Sequence, residues 1–111
     1  MNGDPVSFWF SDSIAWIKPI GEGTEVNSTE MKLFIREMVK QGHHHFVLDA
    51  GECTGMDQVF MGTLLGTALR LRELKRGKVQ VVRCPADLDA QLRHLGLDQL
   101  LEISADDSFG K

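Results

Sequence analysis

Phe46-Val47-Leu48-Asp49-Ala50 runs into Gly51-Glu52-Cys53-Thr54-Gly55-Met56, and then into Asp57-Gln58-Val59-Phe60-Met61-Gly62-Thr63-Leu64-Leu65-Gly66. The first five residues form a short apolar run, the pattern of a buried strand. Gly51 to Met56 read as a loop. Asp57 can serve as an N-cap, and helical spacing continues to about Arg76, where Gly77 stops it. With Met61 at zero and about 100° per residue, Leu64, Leu65, Ala68, Leu69 and Leu71 fall in an arc of roughly 160°. That arc predicts the face lying on a sheet. Val59 falls roughly opposite it and Phe60 at its edge.

The flanking segments repeat the same grammar. Upstream, Val6 to Phe10 and Ile14 to Ile20 are two apolar runs joined by the polar Ser11-Asp12-Ser13, which predicts a hairpin. Gly21-Glu22-Gly23 breaks the second strand. Asn27, Ser28 or Thr29 is positioned to cap a first helix carrying Met31, Leu33, Phe34, Met38 and Val39, with Gly42 at its end. Downstream, Val79 to Val82 is a strand, and Pro85 to about His94 a helix closed by Gly96. Leu100 to Ile103 is a last short strand or turn. This order predicts an α/β domain: an N-terminal hairpin, then successive βα units forming a mostly parallel sheet of four to five strands with helices packed on it. One domain is expected over residues 6–103, between a flexible N-terminus at 1–5 and a flexible polar tail at 104–111.

The 111 residues suit one domain, large enough to bury a core without disulfide or metal support. Twelve Lys and Arg against sixteen Asp and Glu give a net charge of −4, which argues against a general nucleic-acid or anionic-membrane surface. The basic run from Arg70 to Arg76 reads as a helix C-terminus meeting its dipole. No basic leader followed by an apolar run opens the sequence, and no stretch approaches the roughly 18 apolar residues that span a bilayer. A cytoplasmic protein without membrane insertion is the expectation.

The central stretch carries a resemblance. Phe46-Val47-Leu48-Asp49 leading into Met56-Asp57-Gln58-Val59-Phe60-Met61-Gly62-Thr63-Leu64-Leu65-Gly66 resembles the STAS domain of anti-sigma factor antagonists. There a strand leads into a helix start of the type M-D-S-S-G-L-G-V-L-L-G. The likeness continues in Gly77-Lys78-Val79-Gln80-Val81-Val82. It ends in Leu92 to Leu100, similar to the family's L-x-x-x-G-L-D-x-L-F, and covers about residues 6–103. The resemblance implies a domain that is not an enzyme, needs no cofactor and acts by binding. Similar domains sequester an anti-sigma factor with serine-kinase activity and are released on phosphorylation of a Ser or Thr at the start of the second helix.

In this chain the position after the Asp is Gln58, and the following Ser-Gly is replaced by Val59-Phe60. A Gln side chain has no hydroxyl to accept a phosphoryl group and no charge. The phosphoacceptor position is therefore lost, and a constitutive binder, or one wired to another input, is implied. Thr54 in the preceding loop is the nearest accessible hydroxyl, and Thr63 lies a turn inside the helix. The partner-binding residues expected are Thr54, Asp57, Gln58, Val59 and Phe60, with Val59 and Phe60 giving an apolar contact in place of the charge switch. The alternative is a STAS subunit of a larger assembly, such as a lipid-transport ABC complex or a stress-sensing scaffold.

Other candidates carry less. His43-His44-His45 enter a strand, where neighbours point to opposite sides, so no metal site is expected. Cys53 follows one parallel strand and Cys84 ends the next, and both read as buried, inert thiols. Asp49, Glu52 and Asp57 gather acid near the loop with no nucleophile beside them. Gly62 and Gly66 each cost about 1 kcal/mol of helix propensity, which predicts close approach of another element. Phe8, Trp9 and Phe10 on an edge strand leave weak self-association open.

Overall fold

The computed structural model describes residues 6–106. The flexibility expected at residues 1–5 and 107–111 lies outside them.

β1 (Val6–Ser11) and β2 (Ile14–Pro19) form an antiparallel hairpin in which Trp9 pairs with Trp16. Asp12 and Ser13 turn it with φ of 55° and 66°, the left-handed pair of a two-residue hairpin loop. β3 (Gly21–Gly23) leads into α1 (Glu25–Lys40), and β4 (His45–Asp49) into β5 (Cys53–Met56) and α2 (Gln58–Leu74). β6 (Lys78–Val82), α3 (Ala86–His94), a 3-10 turn (Leu97–Gln99) and β7 (Glu102–Ile103) complete the order. The five-stranded sheet runs β1-β2-β4-β6-β7, antiparallel at the hairpin and parallel thereafter. The α/β architecture with a mostly parallel sheet and three helices is therefore the one expected.

Because the strand order advances in a single direction, right-handed crossovers place all three helices on the same face. The burial pattern agrees. Ala15, Ile17, Phe46, Leu48, Val79 and Val81 meet Met31, Ile35, Met61, Leu64, Leu71, Leu88 and Leu92 in the main core. The alternate residues Ile14, Val47 and Val82, with Trp16 against them, form a separate small cluster on the other face.

Three boundaries differ from expectation. α1 begins a turn early, capped by Thr24: the Val26 N–H donates to its hydroxyl (3.3 Å), and its own N–H donates to Asn27 Oδ1 (3.0 Å). Asn27 and Ser28 are thus buried inside the first turn. Second, Cys53–Met56 is a strand paired in parallel with β3, a two-stranded sheet spanning what read as a break and a loop. Third, the tail expected from Ser104 starts out attached. The Ser104 N–H donates to the Val81 carbonyl (2.8 Å), and the Arg83 N–H to that of Asp106 (2.7 Å). These bonds extend the β6–β7 pairing beyond the last strand.

Candidate functional site

The start of α2 is held by one carboxylate. Asp57 Oδ1 accepts the Phe60 N–H (2.8 Å) as the α2 cap, and Oδ2 accepts the Glu25 N–H (2.8 Å) at the first turn of α1. The Asp57 N–H donates to the Gly23 carbonyl (2.8 Å). The side chain of one residue therefore sits between the positive ends of two helix dipoles, while its backbone N–H ties the junction to β3. Beyond it, Gln58 and Val59 open α2 toward solvent, Val59 at 43% exposure, and Thr54 is exposed on β5. Thr54, Asp57, Gln58 and Val59 thus share one corner of the molecule.

Phe60 does not join them. It is fully buried, contrary to the surface contact expected of it. The reason lies in β3: Gly23 has no side chain, and a Cβ there would stand 2.8 Å from the Phe60 ring. The ring fills the space that Gly23 leaves and packs the α2 start onto the small sheet. Leu69 departs the other way, 43% exposed although it lies in the predicted core arc, while Thr63 is buried.

The acidic residues beside the corner are engaged structurally. Asp49 accepts Arg83 Nε (3.0 Å) and Nη2 and the Gly51 N–H (3.0 Å). Burial alone would push its carboxyl up, but the Arg83 and Gly51 hydrogen bonds outweigh that and hold it below the ordinary carboxylate value. Glu52 pairs with Lys18 at 3.0 Å. Cys53 and Cys84 are buried free thiols, both pushed up by desolvation, Cys84 to about 11. Neither is held as the thiolate that redox chemistry requires. The three histidines diverge: His43 packs on the Phe10 ring at 4.1 Å, and His45 Nε2 bonds Gln80 Oε1. The His44 carbonyl accepts the Lys78 N–H at 3.0 Å. Among the described residues, no group of three or more His, Cys, Asp or Glu is arranged to hold a metal ion.

A groove of about 780 Å³ opens between α1 and α2, next to this corner. Val59 stands at its edge, and Gly62 and Gly66 form part of its wall. The close approach expected at these glycines is absent, since a Cβ on either would meet nothing within 4 Å. Thr63 and Thr67 turn their hydroxyls back to the Val59 (3.1 Å) and Thr63 (2.8 Å) carbonyls, so the wall stays smooth. Lys32, Arg36, Lys40 and Arg70 line the groove, and among the described residues no carboxylate does. This feature escaped the sequence analysis, although Lys32, Arg36 and Lys40 stand four apart and share one face of α1. The missing piece was which helix lies opposite.

The same order of strands and helices recurs in solved structures. A Thermotoga maritima protein assigned as an anti-sigma factor antagonist superposes with a TM-score of 0.79 at 16% identity, over 94% of this chain and 87% of that one. For SpoIIAA, a Bacillus cell fate determinant, in its unphosphorylated form the values are 0.72, 14%, 94% and 90%. This chain has the SpoIIAA, or STAS, fold. An anti-sigma factor antagonist from Mycobacterium paratuberculosis shares it, with a TM-score of 0.73 at 15% identity over 96% of this chain and 88% of that one. No protein-family model matches the sequence, and no curated protein matches it. At such identities the STAS likeness is one of fold, and the side chains at the corner and in the groove are this chain's own. No helix among the described residues is long and apolar enough to cross a membrane.

Proposed function

We propose that this chain is a non-enzymatic protein-binding domain of the anti-sigma antagonist type whose phosphorylation switch has been lost. The observation that carries the reading is Gln58, exposed in the first turn of α2 directly after the Asp57 cap. In the motif that the sequence resembles, this position holds the phosphoacceptor. A phosphate there would sit on free helix N–H groups and add close to two negative charges to a docking surface. Gln58 keeps the surface and removes the chemistry. The partner proposed is an anti-sigma factor or related serine-kinase-like ATPase, which meets the chain through Thr54, Gln58 and Val59. Asp57 holds that surface in place, and Phe60 supports it from below.

A second reading, a fixed subunit of a larger assembly, is favoured by β1. This edge strand carries no charged residue over Val6–Ser11, and Trp9 and Phe10 are exposed on it. Affinity capture from the native lysate, with mass spectrometry of prey and bait, separates the two. A kinase-like ATPase captured by the wild type and lost with Val59→Asp supports the antagonist reading. A permease with its transport ATPase replaces it with the second. Phosphate on Thr54 of the bait would mean that the switch has moved, and the claim of loss would fail.

A further inference from the structure

We propose that the groove between α1 and α2 is a docking site for an acidic amphipathic helix of a protein partner. The inference rests on the reading of the chain as a protein binder and adds the partner's chemistry, on residues other than the Gln58 corner.

Two features of the groove work against the stability of the isolated fold. Gly62 and Gly66 weaken α2 without admitting any neighbour. Lys32, Arg36 and Lys40 stack like charges at one-turn intervals on α1, where such spacing is destabilising, and Arg70 adds a fourth cation from α2. All four are exposed, and none takes part in the ion pairs found among the described residues. Those pairs involve Lys18, Lys78, Arg83 and Arg93 instead. In a chain of net charge −4, four of the seven described Lys and Arg outside those ion pairs thus line the groove, where the helix wall has been stripped of side chains, while Arg72, Lys75 and Arg76 lie at the C-terminal end of α2. Lys40, in the last turn of α1, does meet its helix dipole, but among the described residues no side chain fills the space at the glycines and no carboxylate pairs with the four cations. A bound partner compensates for both.

The spacing selects the occupant. Lys32 to Lys40 span about 12 Å along the α1 axis. The cations follow one another by turns and do not converge on a point, so a phosphate or nucleotide would meet one or two of them. A bilayer is flat where this surface is concave, and the net negative charge repels nucleic acid. A helix with carboxylates at one-turn spacing matches the row. A wall of glycines lets its backbone come to the 8–10 Å axial separation of close helix packing.

The probe is a synthetic N-acetylated helical peptide of about 20 residues, long enough to cover the groove, with a Leu face flanked by Glu at i, i+4 spacing. A control peptide carries Lys in place of Glu. Fluorescence anisotropy gives affinity, and amide chemical shifts of the labelled protein give the place. The acidic peptide should bind and shift α1 and α2 residues. It should weaken about tenfold between roughly 0.05 and 0.5 M salt, and at least about tenfold in Arg36→Glu/Arg70→Glu. Gly62→Leu and Gly66→Leu, on open helix surface, should block binding while far-UV circular dichroism stays unchanged. Equal binding of the Lys peptide would overturn the proposal. So would shifts confined to other elements, affinity indifferent to the charge reversals, no binding at all, or stronger binding of phosphatidylglycerol vesicles. Because the measurement uses the purified chain and no cellular partner, its failure is distinct from failure to capture a kinase-like ATPase.

Discussion

α2 meets glycine twice, with opposite results. At its first turn the Phe60 ring presses on Gly23 so closely that a single methyl group would collide with it. Two residues further on, Gly62 opens a face of the same helix where an added Cβ would meet nothing within 4 Å, and Gly66 extends that face by a turn. Glycine therefore serves contrary purposes on two sides of one helix: contact at Gly23 that locks the helix to β3, and clearance at Gly62 and Gly66 that leaves a basic groove open. Glycine in a sequence says only that a side chain is unwanted. Whether backbone, ring or solvent takes the place is decided by the neighbouring element.

The contrast breaks most sharply at Phe60. Phe60→Ala should cost about 3–5 kcal/mol, as for a fully buried aromatic, and lower the Tm by well over ten degrees. A loss under about 1 kcal/mol in a urea titration would show the ring to be dispensable surface after all. Gly23→Ala should cost about 1–3 kcal/mol through overpacking, and Gly23→Ala combined with Phe60→Leu should recover part of it. Strict additivity in that double-mutant cycle would mean that the two residues do not contact each other.

These effects expose what the sequence could and could not convey. The alternation of strands and helices, the Asp57 cap and the outward Val59 were readable because each depends on spacing within one element. Phe60 was misplaced because its partner, Gly23, lies 37 residues away in a strand of three residues, too short and glycine-rich to carry a pattern. The groove was missed for a related reason. Lys32, Arg36 and Lys40 form a visible stripe, but only the pairing of α1 with α2 brings Arg70 and the two glycines opposite it.

Smaller effects sharpen the contrast further. Asp57→Ala should cost about 1–2 kcal/mol, at the upper end of the range for one cap, because the Glu25 and Phe60 N–H groups both lose their acceptor. Amide exchange should quicken in the first turns of α1 and α2 together. Faster exchange in α2 alone would leave the bridge without consequence. Gly62→Ala and Gly66→Ala should each stabilise by about 0.5–1 kcal/mol, since the added methyl meets open space in a helical backbone. A destabilising outcome from either, measured by thermal unfolding, would show that the open stretch is packed in solution.

The hairpin supplies the molecule with its own reporter. The sequence contains two tryptophans and no tyrosine, and the rings of Trp9 and Trp16 stack in parallel with centroids 5.7 Å apart. Intrinsic fluorescence therefore comes from one joint between β1 and β2, on the sheet face that carries no helix. Emission registers the peeling of this edge strand and is blind to α2, whereas far-UV ellipticity is dominated by α1 and α2 on the opposite side. Unfolding curves recorded both ways will coincide if the domain melts as a unit. If they separate, the gap between them measures how independently the edge comes away.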